Sequence, residues 1–438
     1  MRPDTKTTLS RRPAAVGPST DRPTVGPHGR ALVIGFDGGV GRAVMGALAR
    51  TELGRRITSA LTELVLLDAD PAQRRLALPR VRHLPPSAIR SARHLAEIVR
   101  AYDIDQVIDL SFLGTLECAR ACDELGVSSL NTSVENWPGT RPDCWVQLVR
   151  SILPGARPRF ERSSHLVGSG MNPGVVNALV PAGLQAFAQR TKTAPTAEAL
   201  DLYAILVTEE DTTVDADAPE ETDVFPMTWS PVQCLEELLL PETVVSREGE
   251  LRGLGHPPHA ATYRARCGDR QIEGMVVPHE EIVTLAKRYP SVEMAFIYRL
   301  PPAARRALGA HPEKTSPSDW NTYRMYPPTC GRLTGADRVG VLLCSRRYGE
   351  LWLGYDVPVA AGLPLGTGAT HLQVAAGVLA GWTQLGARSG LHLVEELDWR
   401  SYHDSVNAVL GPAEVFYDPQ APVRSLEQRR VRAGAAAA

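Results

Sequence analysis

The 438-residue sequence predicts an α/β fold: a doubly wound parallel sheet followed by a second domain of α+β character. Three observations carry this expectation. The apolar run Ala31 to Ile34 opens onto a glycine-rich turn and a helical pattern. Short apolar strands then alternate with helical stretches as far as Leu130. From about Ser164 the rhythm changes to strand-rich runs with separate helices. Regular alternation argues helices on both faces of a parallel sheet, and the later segregation argues α+β.

Ala31 to Ile34 reads as a buried parallel strand, apolar throughout with two β-branched residues. Gly35, Gly38, Gly39 and Gly41 follow, and then a helix from Arg42 to Arg50. Strand, glycine turn and helix are the parts of a Rossmann-type dinucleotide site. There, the amides around Gly38, Gly39, Val40 and Gly41 approach a pyrophosphate at a helix N-terminus. The spacing is G-x-x-G-G-x-G, one residue longer than the usual fingerprint, with Asp37 in the turn. The second strand, Leu64 to Leu67, ends in Asp68, 27 residues beyond Gly41. An acid there binds ribose hydroxyls and selects NAD over NADP; the alternative is a solvent-facing strand end. Ser91 to Tyr102 and Leu116 to Leu125 read as helices, Gln106 to Leu110 and Val127 to Leu130 as strands. Ligands of such sheets bind beyond the carboxyl ends of the strands, where Ser111, Asn131, Thr132 and Glu135 fall.

In the second half, a strand precedes Gly168, Gly170, Asn172, Pro173 and Gly174, and a helix follows. That segment is read either as a ligand-holding helix start or as a turn with a capping role only. Ala204 to Thr208, Ala261 to Ala265, Gly274 to Val277, Ala295 to Tyr298 and Arg338 to Cys344 read as strands of an antiparallel or mixed sheet. Leu372 to Leu385 and Trp399 to Val409 are helical and are expected to pack back on the first domain. The expected organisation is a disordered tail (1–29), an NAD-binding domain (30–160), a substrate and dimerisation domain (161–370), C-terminal helices (371–425) and a second tail (426–438).

Composition excludes several classes. The formal charge of −2, from 47 Lys plus Arg against 49 Asp plus Glu, excludes a globally basic nucleic-acid binder. No apolar run reaches the roughly 18 residues of a spanning helix. The seven cysteines form no C-x-x-C pair, so neither a zinc site nor a disulfide framework is expected. Residues 1 to 29 lack the apolar core of a secretion signal. Reduced thiols and a cytoplasmic location are the expectation.

The charge distribution is more informative than its total. From Thr193 to Ser246 there is no Lys, Arg or His, and thirteen acids stand in that window. Carboxylates lining a cleft raise the local concentration of ammonium groups. Within the window Trp229 lies near Glu236 and Glu237; an indole face can hold an ammonium or iminium, or it can be a core aromatic. Most of the thirteen acids are read as solvent-facing.

Several stretches together resemble the bacterial homospermidine synthases, within the saccharopine dehydrogenase-like group. They are VIGFDGGVGR, LNTSVENWPG, GMNPGVVNALV, TEEDT, MTWSPVQCLEELLLP, PHEEI, DRVGVLL, HLQVAAGVLAG and ELDWRSYHDSVNAVLGP, in the family's order across residues 30 to 412. The resemblance implies a two-domain homodimer that keeps NAD as a recycled group. One putrescine-type diamine is oxidised to an imine, ammonia leaves as a second amine condenses, and the same cofactor reduces the product. It also implies roles residue by residue. Asn172 matches the asparagine of the family's N-P-G segment and Glu135 the glutamate before W-x-G. Trp229 matches a tryptophan that steadies cationic intermediates, and Glu237 the glutamate after it. Glu209 or Glu210 matches the acid of E-x-D-T, His279 the histidine before E-x-I, and Asp337 an acid before V-L-L. The sequence departs from the family at Leu113, where an acid is usual, and in the LWLGYD and TCGRLTG segments, so an altered amine is expected. Two other readings stay open: an NAD(P)H-consuming reductase of the saccharopine or carboxynorspermidine type, and a polyamine- or NAD-binding protein without catalysis.

Overall fold

The computed structural model describes residues 25–72, 78–137, 145–217, 222–326 and 333–431. Its first sheet has seven strands, all parallel. In spatial order they are Gly390–Leu393, Ser164–Val167, Ser128–Asn131, Gln106–Asp109, Gly29–Ile34, Leu61–Leu67 and Val81–His83. The chain order reverses at Gly29–Ile34, and a crevice for a ligand opens at that switch beyond the strand ends. Ala31, Leu32 and Val33 are fully buried, as a central strand covered on both faces requires. The sequence reading missed Gly390–Leu393, an edge strand of only four residues that closely follows helix Ala369–Gln384.

The second sheet is mixed and has nine strands. Its central strand, Leu202–Asp211, pairs in parallel with Glu293–Arg299 on one side and antiparallel with Ala336–Ser345 on the other. Beyond Ala336–Ser345 lie Gly349–Pro358 and Glu414–Asp418. All ten residues of Leu202–Asp211 are buried, so both faces are covered. On one face Ile205, Val207, Phe296, Val339 and Val341 join the main core beside helix Val175–Thr191. On the other, Ala204, Leu206, Ile297 and Leu342 pack under strand Tyr263–Cys267. Strand alternation therefore decides which acids of this strand share a face.

Three boundaries differ from expectation. Residues 26–29 belong to the fold: the Gly26 amide donates to Leu385 O at 2.7 Å, and Gln106 Nε2 donates to Gly26 O at 2.9 Å. Residues 371–425 are not helices alone, because Gly390–Leu393 and Glu414–Asp418 join one sheet each. Helix Ala369–Gln384 does pack along helix Gly39–Arg50. At the end of the chain, residues 426–430 are packed: Leu426 and Arg429 are buried and Arg429 pairs with the buried Glu350. Residues 1–24 and 432–438 of the expected tails lie outside the described residues. Among the described residues no helix is long and apolar enough to cross a membrane. Cys118, Cys122, Cys234, Cys267 and Cys344 are buried free thiols; Cys144 and Cys330 lie outside the described residues.

Candidate active site

The glycine turn is built for an anion. Gly35 has φ +76°, and a Cβ at Gly41 would lie 2.1 Å from Gly35 O, so side chains are excluded where strand, turn and helix meet. Helix Gly39–Arg50 starts with no side-chain cap and no acid in its first turn. Its first backbone bond runs from the Arg42 amide to Gly38 O at 2.9 Å. The amides of Gly39, Val40 and Gly41 are therefore left without helical acceptors, at the positive end of the helix. Asp68 is fixed beside the turn, its Oδ2 accepting from the Asp37 amide at 3.0 Å. Asp37 in turn accepts from Arg42 Nε at 2.9 Å. A bare cradle, three amides and a carboxylate at the second strand end fit a dinucleotide.

A second cluster lies on the inner face of the mixed sheet. Glu209 and Asp211 stand two residues apart on the central strand, on the face that carries Ile205 and Val207. Asp337, paired with Asp211 across the sheet, shares that face with Val339. All three are buried. Asn172 Nδ2 donates to Glu209 Oε2 at 3.0 Å. Asp211 accepts from Thr228 Oγ1 at 2.6 Å and from the Thr213 amide at 2.8 Å. Asp337 accepts from Thr370 Oγ1 at 2.6 Å, while its Oδ1 is buried without a partner among the described residues. Burial, together with the charge of Asp211, pushes the Glu209 carboxyl well above its ordinary range. Asp337 is raised by burial and then by Glu209 and Asp211. Such mutual repulsion calls for protons or a cation between the groups.

The rim of this cluster comes from three segments. Trp229 Nε1 donates to the buried Tyr298 hydroxyl at 3.2 Å, which holds the indole beside strand Glu293–Arg299. Helix Pro231–Leu238, capped by Ser230, carries the half-buried Glu237. His279 lies between two carboxylates, its Nδ1 2.5 Å from Glu281 Oε2 and its Nε2 3.9 Å from Glu237 Oε1. Burial would lower the His279 imidazole, but the charge and hydrogen bond of Glu281 outweigh it and raise it to about 9. Burial raises Glu237 to about 7 against the pull of His279, and raises Glu280 to about 8. Glu237 is thus a carboxyl that gains and loses a proton near neutrality, as a general acid–base group must.

Comparison with known proteins bears on the fold and on the nucleotide-binding half. Residues 31–152 match the family model of the saccharopine dehydrogenase NADP binding domain. A homospermidine synthase of Mesorhizobium japonicum is 23% identical over 367 residues, spanning 71% of this chain and 74% of that protein. The solved homospermidine synthase of Legionella pneumophila, crystallised in complex with NAD, superposes with a TM-score of 0.74. It is 19% identical and covers 89% of this chain and 92% of its own. A saccharopine dehydrogenase (L-Glu forming) of Saccharomyces cerevisiae superposes at 0.52, with 11% identity over 88% of this chain and 99% of its own. The likeness to the homospermidine synthases therefore extends from the ordered motifs to the whole fold.

Within this fold the expected site residues sort as follows. Asn172, Glu209, Trp229, Glu237, His279 and Asp337 come together around the acidic cluster. Glu210 does not. Alternation turns it to the other face of the sheet, where Arg299, Arg270 and Arg338 lie at 3.2, 3.7 and 3.8 Å. Glu236, one position before Glu237 and about 100° round the helix, is exposed. Glu135 accepts from Ser133 Oγ at 2.8 Å and Gln233 Nε2 at 3.2 Å, which ties the nucleotide domain to helix Pro231–Leu238. Asn131, expected at the cofactor, uses both amide atoms within the fold: Nδ2 on Thr115 Oγ1 and Oδ1 on the Gly168 amide. It is a loop tie. Ser111 stands at its strand end, bonded to Asp109, and Thr132 is half-buried at the next. Leu113 is buried in the apolar cluster behind the strands. Among the described residues no group of His, Cys, Asp and Glu is placed to hold a metal ion.

Sequence reasoning missed Asp211, Tyr298, Glu280 and Glu281. Two of these had a signal. Asp211 follows Glu209 at the period of a strand, and Glu281 stands two residues after His279 in the P-H-E-E-I segment. Tyr298 ends an apolar strand and carried none.

Proposed function

We propose that the chain is an NAD-dependent aminoalkyl transferase of the homospermidine synthase type, acting on a putrescine-type diamine and a second amine. The observation that supports this best is the buried inner-face cluster of Glu209, Asp211 and Asp337, with an Asp337 Oδ1 that has no partner among the described residues, beside the rim carboxylate Glu237. A diammonium ligand would neutralise it. Asp68 at the second strand end favours NAD, since a ribose phosphate would meet its charge. A bound nicotinamide dinucleotide supplies removal of hydride from the amine-bearing carbon and its return to the condensed product. The chain's own residues then do the rest. Glu209, Asp211 and Asp337 bind the distal ammonium. The Trp229 face, held by Tyr298, stabilises the iminium. Glu237 takes and returns the proton as ammonia leaves and the second amine adds, and His279, anchored by Glu281, keeps it poised. The arginines that could clamp a carboxylate substrate of the reductase type, Arg270, Arg299 and Arg338, face Glu210 on the opposite side of the sheet. The likeness also leads us to expect a cytoplasmic homodimer.

The test is incubation of the protein with putrescine, 1,3-diaminopropane and a catalytic amount of NAD, with mass spectrometry of products and an ammonia assay. A triamine and ammonia in equal amounts, with no net NADH, is the expected result. Stoichiometric NADH consumption with an added oxo acid would replace this reading with a reductase. Folded, NAD-loaded protein that turns over no amine would reduce it to a binding protein.

A further inference from the structure

His371 lies in the first turn of helix Ala369–Gln384, which packs along the glycine-turn helix Gly39–Arg50. The two helices begin side by side: a Cβ at Gly39 would lie 2.5 Å from both Cε1 and Nε2 of the imidazole. Glycine is thus required at position 39 by a ring from the far end of the chain. Helix Ala369–Gln384, like its neighbour, starts with no side-chain cap and no acid in its first turn, and its first backbone bond is Leu372 N to Gly368 O. The ring itself is only 5% exposed, and among the described residues it has no hydrogen-bond partner, whereas Thr370 and Gln373 on either side of it bond the side chain and carbonyl of Asp337. It also lines a small cavity with Thr213, Thr228, Gly368 and Thr370. A polar ring so nearly buried gains when a ligand supplies its hydrogen bond.

We propose that His371 is a cofactor-binding residue whose ring N–H donates to a phosphate of the dinucleotide held on the glycine turn. This rests on the dinucleotide reading above. Burial pushes the imidazole down to about 4, so the ring is neutral, with one donor and one acceptor nitrogen. One helical turn then touches both ligands, His371 on the cofactor side and Thr370 and Gln373 on the carboxylate wall of the amine site.

Binding of NAD and of ADP-ribose, measured by titration calorimetry on the full chain, tests this without turnover. His371→Leu is expected to weaken both about tenfold, as loss of a hydrogen bond to a charged group does. His371→Gln, which keeps a donor, should hold most of the affinity. If the leucine variant does not fold, His371→Asn, polar but too short to reach, takes its place with the same expectation. Unchanged affinity for both ligands in these variants, or a loss confined to NAD, overturns the phosphate contact. Wild-type protein that binds neither ligand overturns the cofactor site itself, an outcome distinct from the failure of His371 alone.

Discussion

Asn172 and Glu209 join the two halves of the molecule at the site: the amide of a loop beyond the first sheet donates at 3.0 Å to a carboxylate on the central strand of the second. The contact holds an acid whose protonation is disfavoured by that donor and favoured by burial and Asp211. We expect Glu209→Gln to lower kcat by about 10²–10³-fold, within the range of a lost positioned acid–base or charge-stabilising group, with NAD affinity within twofold of wild type. Steady-state kinetics beside NAD titration checks it. Equal losses in both would place Glu209 in the fold instead of the site.

The adjacent residue is the control. Glu210 faces three arginines and no part of the cavity. Glu210→Gln should cost about 1–3 kcal/mol of stability, because the buried Arg338 loses a charged neighbour, and should leave kcat/KM within about twofold. A melting temperature unchanged beside a collapse in kcat would reverse the assignment of faces.

That pair also shows where reading a sequence stops. The T-E-E-D run declares its acids but not which one faces the cavity, because both faces of the strand are buried and no polar-apolar alternation remains to mark them. The glycine turn and Asp68 were legible because their geometry is local: strand, turn, helix and strand end follow within a short stretch of chain. The hairpin Val244–Arg247 with Glu250–Gly253 and the edge strands Gly390–Leu393 and Glu414–Asp418 were not. All are short; long-range pairing sets the two edge strands, while the hairpin closes locally through Glu248 and Gly249. His371 was legible only as part of a helical motif, since its significance depends on a neighbour at Gly39.

Trp229 and Tyr298 form a second coupled pair, through the indole N–H at 3.2 Å. Trp229→Ala is expected to reduce kcat by about 3–30-fold, equivalent to a cation–π contribution of about 0.5–2 kcal/mol. Tyr298→Phe removes only the acceptor, so it should produce a smaller loss in kcat with KM nearly unchanged. In the double mutant the tyrosine effect should vanish. Additive losses would show that the hydroxyl acts on the substrate directly.

Stability against pH follows from groups that hold protons differently in the folded chain. Glu237 and Glu280 are raised by burial to about 7 and about 8, and His279 to about 9 by Glu281 against the opposing effect of burial. Each keeps a proton in the folded state at a pH where the unfolded chain has released it. Folding therefore loses stability as pH rises from 4.5 towards 7 for Glu237 and towards 8 for Glu280, and from 6.5 towards 9 for His279. Burial lowers His165 and His371 to about 4, which works the other way between 4 and 6.5 and adds nothing above. Below pH 6.5 the two sets oppose each other; from 6.5 to 9 only the falling set acts. The melting temperature of the ligand-free protein should decline steadily over that interval, each fully retained proton contributing about 1.4 kcal/mol per pH unit. His279→Asn should flatten the part between 8 and 9, where Glu280 has finished titrating and His279 has not. Thermal melts at half-unit steps give the curve, and a melting temperature that stays level from 6.5 to 9 would show that these three groups titrate as they do in the unfolded chain.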